Sequence, residues 1–357
     1  MGGIYQYTEG YIRSILAVVL DRFTMSTPDR VAASVSLEVP KLKPAELPVS
    51  DPIEPWHVQP STVLSVQELA ALNERSNWAG WQQLGKHLAV MGISGAIWSM
   101  SRGQWWIAIP ALIVYGFSLA SMFAPMHECA HRTAFANQQL NDAVAWLAGV
   151  LSFYNSTFYR RYHKWHHRYT QIPGKDPELE EATPTNWRDY LWQMSGIPWW
   201  LGKLRTHGRC ACGQFADYPY ISDSAQAEVS RSVRWQIAVY GAGIVLSIAL
   251  GRPWFITYWL LPLAVGQPLL RFILIAEHRG CTEDDNPLTN TRTTLTTLPL
   301  RLLMWNMPFH AEHHLYASIP FHALPQAHAK LAGKLKYVAP GYGAANREIA
   351  TRFGRVA

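Results

Sequence analysis

The sequence predicts an all-α integral membrane protein, with four transmembrane helices in two hairpins, interfacial helices and a helical cap on the cytoplasmic side. Three observations carry that prediction. Hydrophobic residues make up 49% of the 357 residues and charged residues only 16%, against about 25% charged in soluble domains. Four apolar stretches pair off across two short turns. Sixteen Trp and sixteen Tyr suit long membrane interfaces, where amphipathic rings collect. The mean hydropathy of -0.05 excludes a chain that is mostly membrane and leaves a sizeable water-facing part.

Residues 1-60 read as an N-terminal tail. Ile12 to Leu20 contains Arg13 and is too short to span. No clear small-residue cleavage site follows it, and Pro40, Pro48, Pro52, Pro55 and Pro60 make a linker-like stretch. The domain proper occupies 61-335, and 336-357 reads as a C-terminal tail. Ser65-Val-Gln-Glu68 has capping-box spacing ahead of an apolar helical pattern. Leu84 to Met100 is a first span of marginal length, and Arg102 to Trp106 makes a turn. Ile107 to Met126 is a second span without a charge.

Asn141 to Phe158 is apolar but broken by Asn155, Ser156 and Thr157, which suits a segment at the interface or buried in protein. Asp189 to Leu204, with Trp192, Pro198, Trp199 and Trp200, reads as interfacial. Trp235 to Leu250 and Phe255 to Ala276 form the second hairpin around Gly251-Arg-Pro-Trp254, with Arg271 near the end of the last span. Two hairpins return both termini to one side. The long segments 159-234 and 277-357 are rich in Lys and Arg, which places them in the cytoplasm. The net charge of +6 is scattered and gives no nucleic-acid surface. Four Cys form no disulfide framework, in keeping with a reducing compartment. Cys210-Ala-Cys212 near His207 reads as a loop.

The chemistry lies in nine histidines. His127 and His131 are spaced i, i+4 after the second span; His163, His166 and His167 follow at i, i+3, i+4; His278 ends the fourth span; His310, His313 and His314 repeat the i, i+3, i+4 spacing. Such positions share one side of a helix, and all nine fall at cytoplasmic ends, where they can converge. Nine imidazoles exceed the three or four ligands of one zinc ion and suit two metals in the cap. Imidazole accepts Zn, Cu, Fe or Ni, so ligand type alone leaves the metal open. His57, His87, His207, His322 and His328 read as surface or hydrogen-bonded residues. Glu277 and Glu312, each beside a metal-candidate histidine, are expected to orient imidazoles by accepting their second N–H. Asp176, in Lys175-Asp-Pro-Glu178, reads as a turn residue.

Two rivals remain. His127-Glu128-Cys-Ala-His131 also matches H-E-x-x-H, the zinc-protease motif with Glu as general base, but that motif leaves both H-x-x-H-H clusters unused. A metal transporter would place its ligands inside the bilayer, whereas these sit at helix ends.

At these clusters the chain resembles the membrane fatty-acid desaturase family, whose histidine boxes and isolated histidine occur in this order and spacing over residues 65-335. His163 to Thr170 and Asn306 to Leu315 are the most specific stretches, and Asn290 to Thr294 looks like bacterial members. The resemblance implies two Fe ions held by the nine histidines, O2 as co-substrate, four spans in a bacterial inner membrane, and a double bond introduced into a fatty acyl or related lipid-like chain. It leaves open a hydroxylase, an oxidative decarboxylase forming a terminal alkene, and a desaturase of a small amphiphilic amino-acid-derived substrate. Some members carry Asn four residues before the isolated histidine; here Leu274 stands there, which leaves one ligand of that iron open. No fused cytochrome b5 motif of the His-Pro-Gly-Gly kind is present, so electrons are expected from a separate acidic protein: a ferredoxin, a rubredoxin or a cytochrome b5-like carrier. It would dock on a surface containing Arg160, Arg161, Lys164, Arg168, Lys175, Arg188, Lys203, Arg205 and Arg209.

Overall fold

The computed structural model of the chain describes residues 63-101 and 103-354. The expectations for the tail 1-60, for His57 and for Arg102 lie outside the described residues. Helix α1 (Val66–Leu72) starts where the sequence places it. Ser65 Oγ accepts from Glu68 N at 3.2 Å, and the Glu68 carboxylate accepts from Ser65 N at 3.0 Å, so two of the free N–H groups at the helix start are satisfied.

The body is mostly helical. Helix α2 (Asn77–Met100) starts at the Ser76 cap, before its apolar stretch. Helix α3 (Trp105–Ala120) runs through a tight turn into α4 (Phe123–Ala130). Among the described residues three stretches are long and apolar enough to cross a membrane: Trp105–Ala130, Asp223–Ala249 and Ile256–His278. The second is helix α9, and the third is a π-helical turn, Ile256–Leu260, leading into α10 (Leu261–His278). The expected first span does not qualify on composition, because Gln82, Gln83, Lys86 and His87 occupy the first half of α2. His87 is buried between Ser118 O at 2.8 Å and Trp305 Nε1 at 3.2 Å.

Helices α3 and α10 touch backbone to backbone. A Cβ placed on Gly266 would lie 1.9 Å from Gly116 O, and one on Gly116 would lie 2.3 Å from Pro262 O. Small residues at such a crossing allow the approach. It brings the lower ends of α4 and α10, and with them His127 and His278, to the same level.

The broken apolar stretch 141-158 is two helices. Helix α5 (Gln138–Ser152) ends at left-handed Phe153 (φ 62), and Asn155 caps α6 (Ser156–Tyr169) by accepting from Phe158 N at 3.0 Å. The polar interruption is thus a helix boundary. Helices α7 (Trp187–Met194) and α8 (Ile197–Ala211) meet at Gly196 (φ 74). They leave Trp187, Leu191, Trp192, Leu201 and Leu204 each more than half exposed.

Two expectations need correction. The chain is not wholly α: strands β1 (Arg292–Thr294) and β2 (Tyr337–Ala339) pair in parallel, with Arg292 opposite Tyr337. The segment 336-357 is not simply a tail, because it supplies β2 and α14 (Tyr342–Ala350), whose Tyr342 and Ala345 join the main core. Three-residue strands carry no periodic signal, so neither feature stands out in the sequence. Between the strands lie α11 (Leu298–Leu303), α12 (His310–Leu315) and α13 (Leu324–Leu331).

Candidate metal centre

The ends of α4, α6, α10 and α12 bring the nine predicted histidines together. The ligand nitrogens of His127, His131, His163, His167 and His313 all lie within 4.8 Å of one another. Those of His166, His278 and His314 form a second such group. His310 joins its edge, with its Nε2 3.1 Å from His278 Nε2. The groups adjoin: the rings of His167 and His314, one from each, stack at 4.1 Å and 12°.

The two H-x-x-H-H clusters serve the groups in opposite senses. Helix α6 gives its i, i+4 pair, His163 and His167, to the first group and His166 to the second. Helix α12 gives its i, i+4 pair, His310 and His314, to the second group and His313 to the first. Strand β1 fixes α12 in place: Thr294 N donates to Pro308 O at 2.9 Å, and Thr293 Oγ1 accepts from Ala311 N at 3.2 Å.

The nitrogens fit a metal. His131 Nε2, His163 Nδ1, His310 Nδ1, His313 Nε2, His314 Nε2 and both nitrogens of His127 are buried without a hydrogen-bond partner, which is costly for polar atoms unless something else engages them. Burial pushes His131 down to about 3 and, with the charges of neighbouring imidazoles, holds His163, His167, His310, His313 and His314 well below the ordinary histidine value. They are neutral at pH 7, as metal ligation requires.

His166 differs. Burial opposes its charge, but Glu178 and Asp176 outweigh burial and raise its pKa. Its Nδ1 donates to Asp176 Oδ1 at 2.8 Å, which leaves Nε2 facing the group, with Glu178 Oε2 3.7 Å away. Asp176 therefore does more than turn the chain: it fixes an imidazole. Neither it nor Glu178 follows from histidine spacing. Their only sequence signal is an acidic pair shortly after the second cluster.

The carboxylates beside the clusters divide. Glu277 Oε2 lies 3.5 Å from His310 Nε2, and its Oε1 is buried without a partner. It approaches the same His310 nitrogen that meets His278. Glu312 accepts from the Thr293 hydroxyl and shares a hydrogen bond with His328 Nδ1. It braces α12 against α13, so no contact ties it to a metal-candidate imidazole. Glu128 Oε1 accepts from Thr133 Oγ1 at 2.6 Å and from Phe321 N at 2.9 Å. With that oxygen engaged, and four other imidazoles around His127, the zinc-protease reading loses its base and its coordination number. His207 is structural: its ring stacks on Phe153 at 4.8 Å and its Nδ1 donates to Lys203 O at 2.8 Å.

Residues 103–345 match the family profile described as fatty acid desaturase. The sn-1 oleoyl-lipid 12-desaturase of Picosynechococcus sp. is 23% identical over 266 residues, which is 68% of this chain and 74% of that protein. The protein of the same name from Anabaena variabilis is 24% identical over 281 residues, 72% of this chain and 77% of that protein. The dihydrorhizobitoxine desaturase of Bradyrhizobium elkanii is 26% identical over 254 residues, 67% of this chain and 70% of that protein.

Proposed function

The chain belongs to the fatty acid desaturase family, and from that premise we propose an O2-dependent di-iron desaturase that introduces a carbon–carbon double bond into an acyl or related amphiphilic chain. The observation that carries the proposal is the division of nine histidines into two adjoining groups, one of five imidazoles and one of four with Glu178 and Glu277 at its edge. Imidazole and carboxylate donors at five- or six-fold coordination suit iron. The two carboxylates are the nearest replacements for the ligand that Leu274 cannot supply.

When bound, an iron pair supplies O2 reduction and the removal of two hydrogens from unactivated carbons. With two electrons and two protons from outside, the products are an alkene and two waters. The residues of this chain hold and shield that chemistry. Asp176 sets the His166 tautomer. Tyr159 stacks on His163 at 4.9 Å and Phe123 packs 5.9 Å from His127, which gives the first group an apolar, water-excluding wall.

For the membrane, we assign α2 as a fourth span beside the three apolar stretches, with the histidines and both termini on the cytoplasmic side. The exposed apolar residues of α7 and α8 lie against the interface. Electrons come from a separate acidic carrier. Of the basic residues expected to meet it, Arg160, Arg161 and Arg209 are already paired with Asp142, Glu228 and Asp217. Lys164 and Arg168 remain exposed on the outer side of α6 and form the better docking face.

The test is metal analysis of protein purified without oxygen, with mass spectrometry of products after adding reductant, O2 and acyl substrates. Two irons per chain and a product two mass units lighter are expected. One zinc and no iron would sink the metal assignment, and a product sixteen units heavier would convert the enzyme to a hydroxylase.

A further inference from the structure

Two cations close to the histidines, Arg271 and Lys203, are ion-paired to no carboxylate among the described residues, although the charge of Glu178 acts on both. Arg271 sits seven residues before His278 on α10, about two turns and about 10 Å along the helix, and so on nearly the same side. Its Nη2 donates to Tyr154 Oη at 3.0 Å, while its Nε is buried without a partner. Lys203 of α8 reaches the same ring from another element, with Nζ 3.9 Å from the Tyr154 centroid. The guanidinium also lies 5.6 Å from the Trp199 ring. Neither cation makes an ion pair among the described residues. The nearby carboxylates, Glu178 and Glu277, reach instead toward His166 and His310.

An unpaired cation in low dielectric is expensive, and two sharing one ring are more so. The strain registers on Lys203, where burial and the Arg271 charge, only partly opposed by Glu178, push the pKa down to about 7. An ionisable residue in an apolar spanning helix marks a functional site by default. Here the Tyr154 ring is followed at 4.7 Å by Phe123, which packs on His127, and at 5.8 Å by Tyr159, which stacks on His163. Two layers of rings, Tyr154 and then Phe123 with Tyr159, therefore separate the cations from the first histidine group. The crevice beside Lys203 is lined by Tyr154, Tyr159 and Thr206. An oxyanion would complete the site, and a chain leading from it would run along the aromatic rings toward the histidines.

We propose that Arg271 and Lys203 form the receptor for an anionic head group, a carboxylate or phosphate carried by the substrate amphiphile, and that this anchor sets which carbons reach the histidines. The proposal rests on the desaturase reading and narrows its substrate to amphiphiles whose anion lies close to the oxidised bond. Planar guanidinium recognition of an oxyanion by two N–H donors, with a second cation alongside, is a strong and directional contact.

The experiment measures binding of radiolabelled laurate to the iron-loaded protein in phosphatidylcholine nanodiscs, with empty nanodiscs subtracted. Competitors are methyl laurate and dodecyl phosphate, and the variants are Arg271→Gln, Lys203→Gln and Arg271→Lys. Saturable laurate binding is expected, with no competition from methyl laurate. Affinity should fall at least about tenfold in either Gln variant, as for loss of a charge-assisted hydrogen bond, and less in Arg271→Lys. Iron content should stay equal throughout, which separates loss of the receptor from loss of the fold. If dodecyl phosphate competes better than unlabelled laurate, the receptor stands and the head group is a phosphate. Equal competition by methyl laurate, or wild-type laurate affinity in iron-replete Arg271→Gln, overturns the proposal. If laurate binding needs both cations yet no unsaturated product forms with O2 and a donor, the receptor stands and the desaturase reading falls.

Discussion

Replacing Asp176 tests how the second histidine group is built. Its Oδ1 accepts from His166 Nδ1 at 2.8 Å and from Glu178 N at 2.9 Å, and its Oδ2 accepts from Gln171 N at 2.8 Å. Asp176 is 2% exposed and His166 is 1% exposed, so water does not replace what is removed. Asp176→Ala strands three donors, each at about 1 to 3 kcal/mol, and should cost the metal-free protein on the order of 3 to 5 kcal/mol. Asp176→Asn is milder and more informative. The amide can still accept from His166, but its NH2 then faces Gln171 N–H, and the negative charge that polarises the imidazole is gone. Losing such a partner typically lowers metal affinity about 10- to 100-fold, or about 1.4 to 2.8 kcal/mol. The assay is iron per chain against a chelator series, with thermal unfolding in parallel. Asp176→Asn should pass through a plateau of one iron per chain that the wild type lacks. Two irons resisting chelator as in the wild type would refute the role assigned to Asp176.

Metal-free protein should lose stability as pH falls below about 6.5: His131, His163, His167, His310, His313 and His314 have depressed pKa values, so the unfolded chain binds more protons, each adding a slope of about 1.4 kcal/mol per pH unit. His166, whose pKa is raised, works in the opposite direction but is outnumbered; denaturant curves at pH 7.5 and 5.5 that coincide would contradict this. His278→Ala should deplete the second group and His313→Ala the first, each leaving about one iron per chain. Spectroscopically identical residual sites in the two variants would mean that the groups are not distinct. Turnover with limiting acidic donor should fall as salt rises, since screening acts over about 8 Å at 0.15 M, and Lys164→Glu with Arg168→Glu should weaken it with iron unchanged. Arg160→Glu should instead lower stability, because Arg160 holds Asp142 at 2.6 Å and Ala130 O at 3.2 Å; a purely kinetic effect there would argue against the pairing.

What the sequence made legible follows from what local geometry can encode. The Ser65 cap, three of the four apolar stretches and the histidine clusters are all patterns within a few turns of helix, and the structure has the cap, those three stretches and two groups of histidines. The chain's return at its C-terminal end was not legible. Strand β2 has three residues, and α14 joins the core through only a few side chains. The proposed fourth span is the intermediate case: α2 has the length, 24 residues, but Gln82, Gln83, Lys86 and His87 dilute its apolar signal. One of those polar groups, His87, is satisfied inside the protein by Ser118 and Trp305, a fact that hydropathy cannot see.

The split of each histidine cluster between two groups shows where local reasoning stops. At 100° per residue, i and i+4 lie about 40° apart on a helix, while i+3 lies about 60° to the other side. An H-x-x-H-H cluster therefore always presents a pair and an outlier, and spacing alone cannot say which group takes which. That depends on how far each helix is rotated about its axis. The packing of α6 turns the pair His163 and His167 to the first group, while β1, through Thr293 and Thr294, turns α12 so that His310 and His314 face the second. The same angles explain the carboxylates. Glu312 follows His310 by two residues, about 200° around the helix, and so turns away to His328. Asp176 reaches His166 because the chain doubles back through left-handed Gln171 (φ 62) and Gly174 (φ 76). Orienting carboxylates in such a centre are therefore to be sought after a tight turn that follows a cluster, and not in the neighbouring position along the helix.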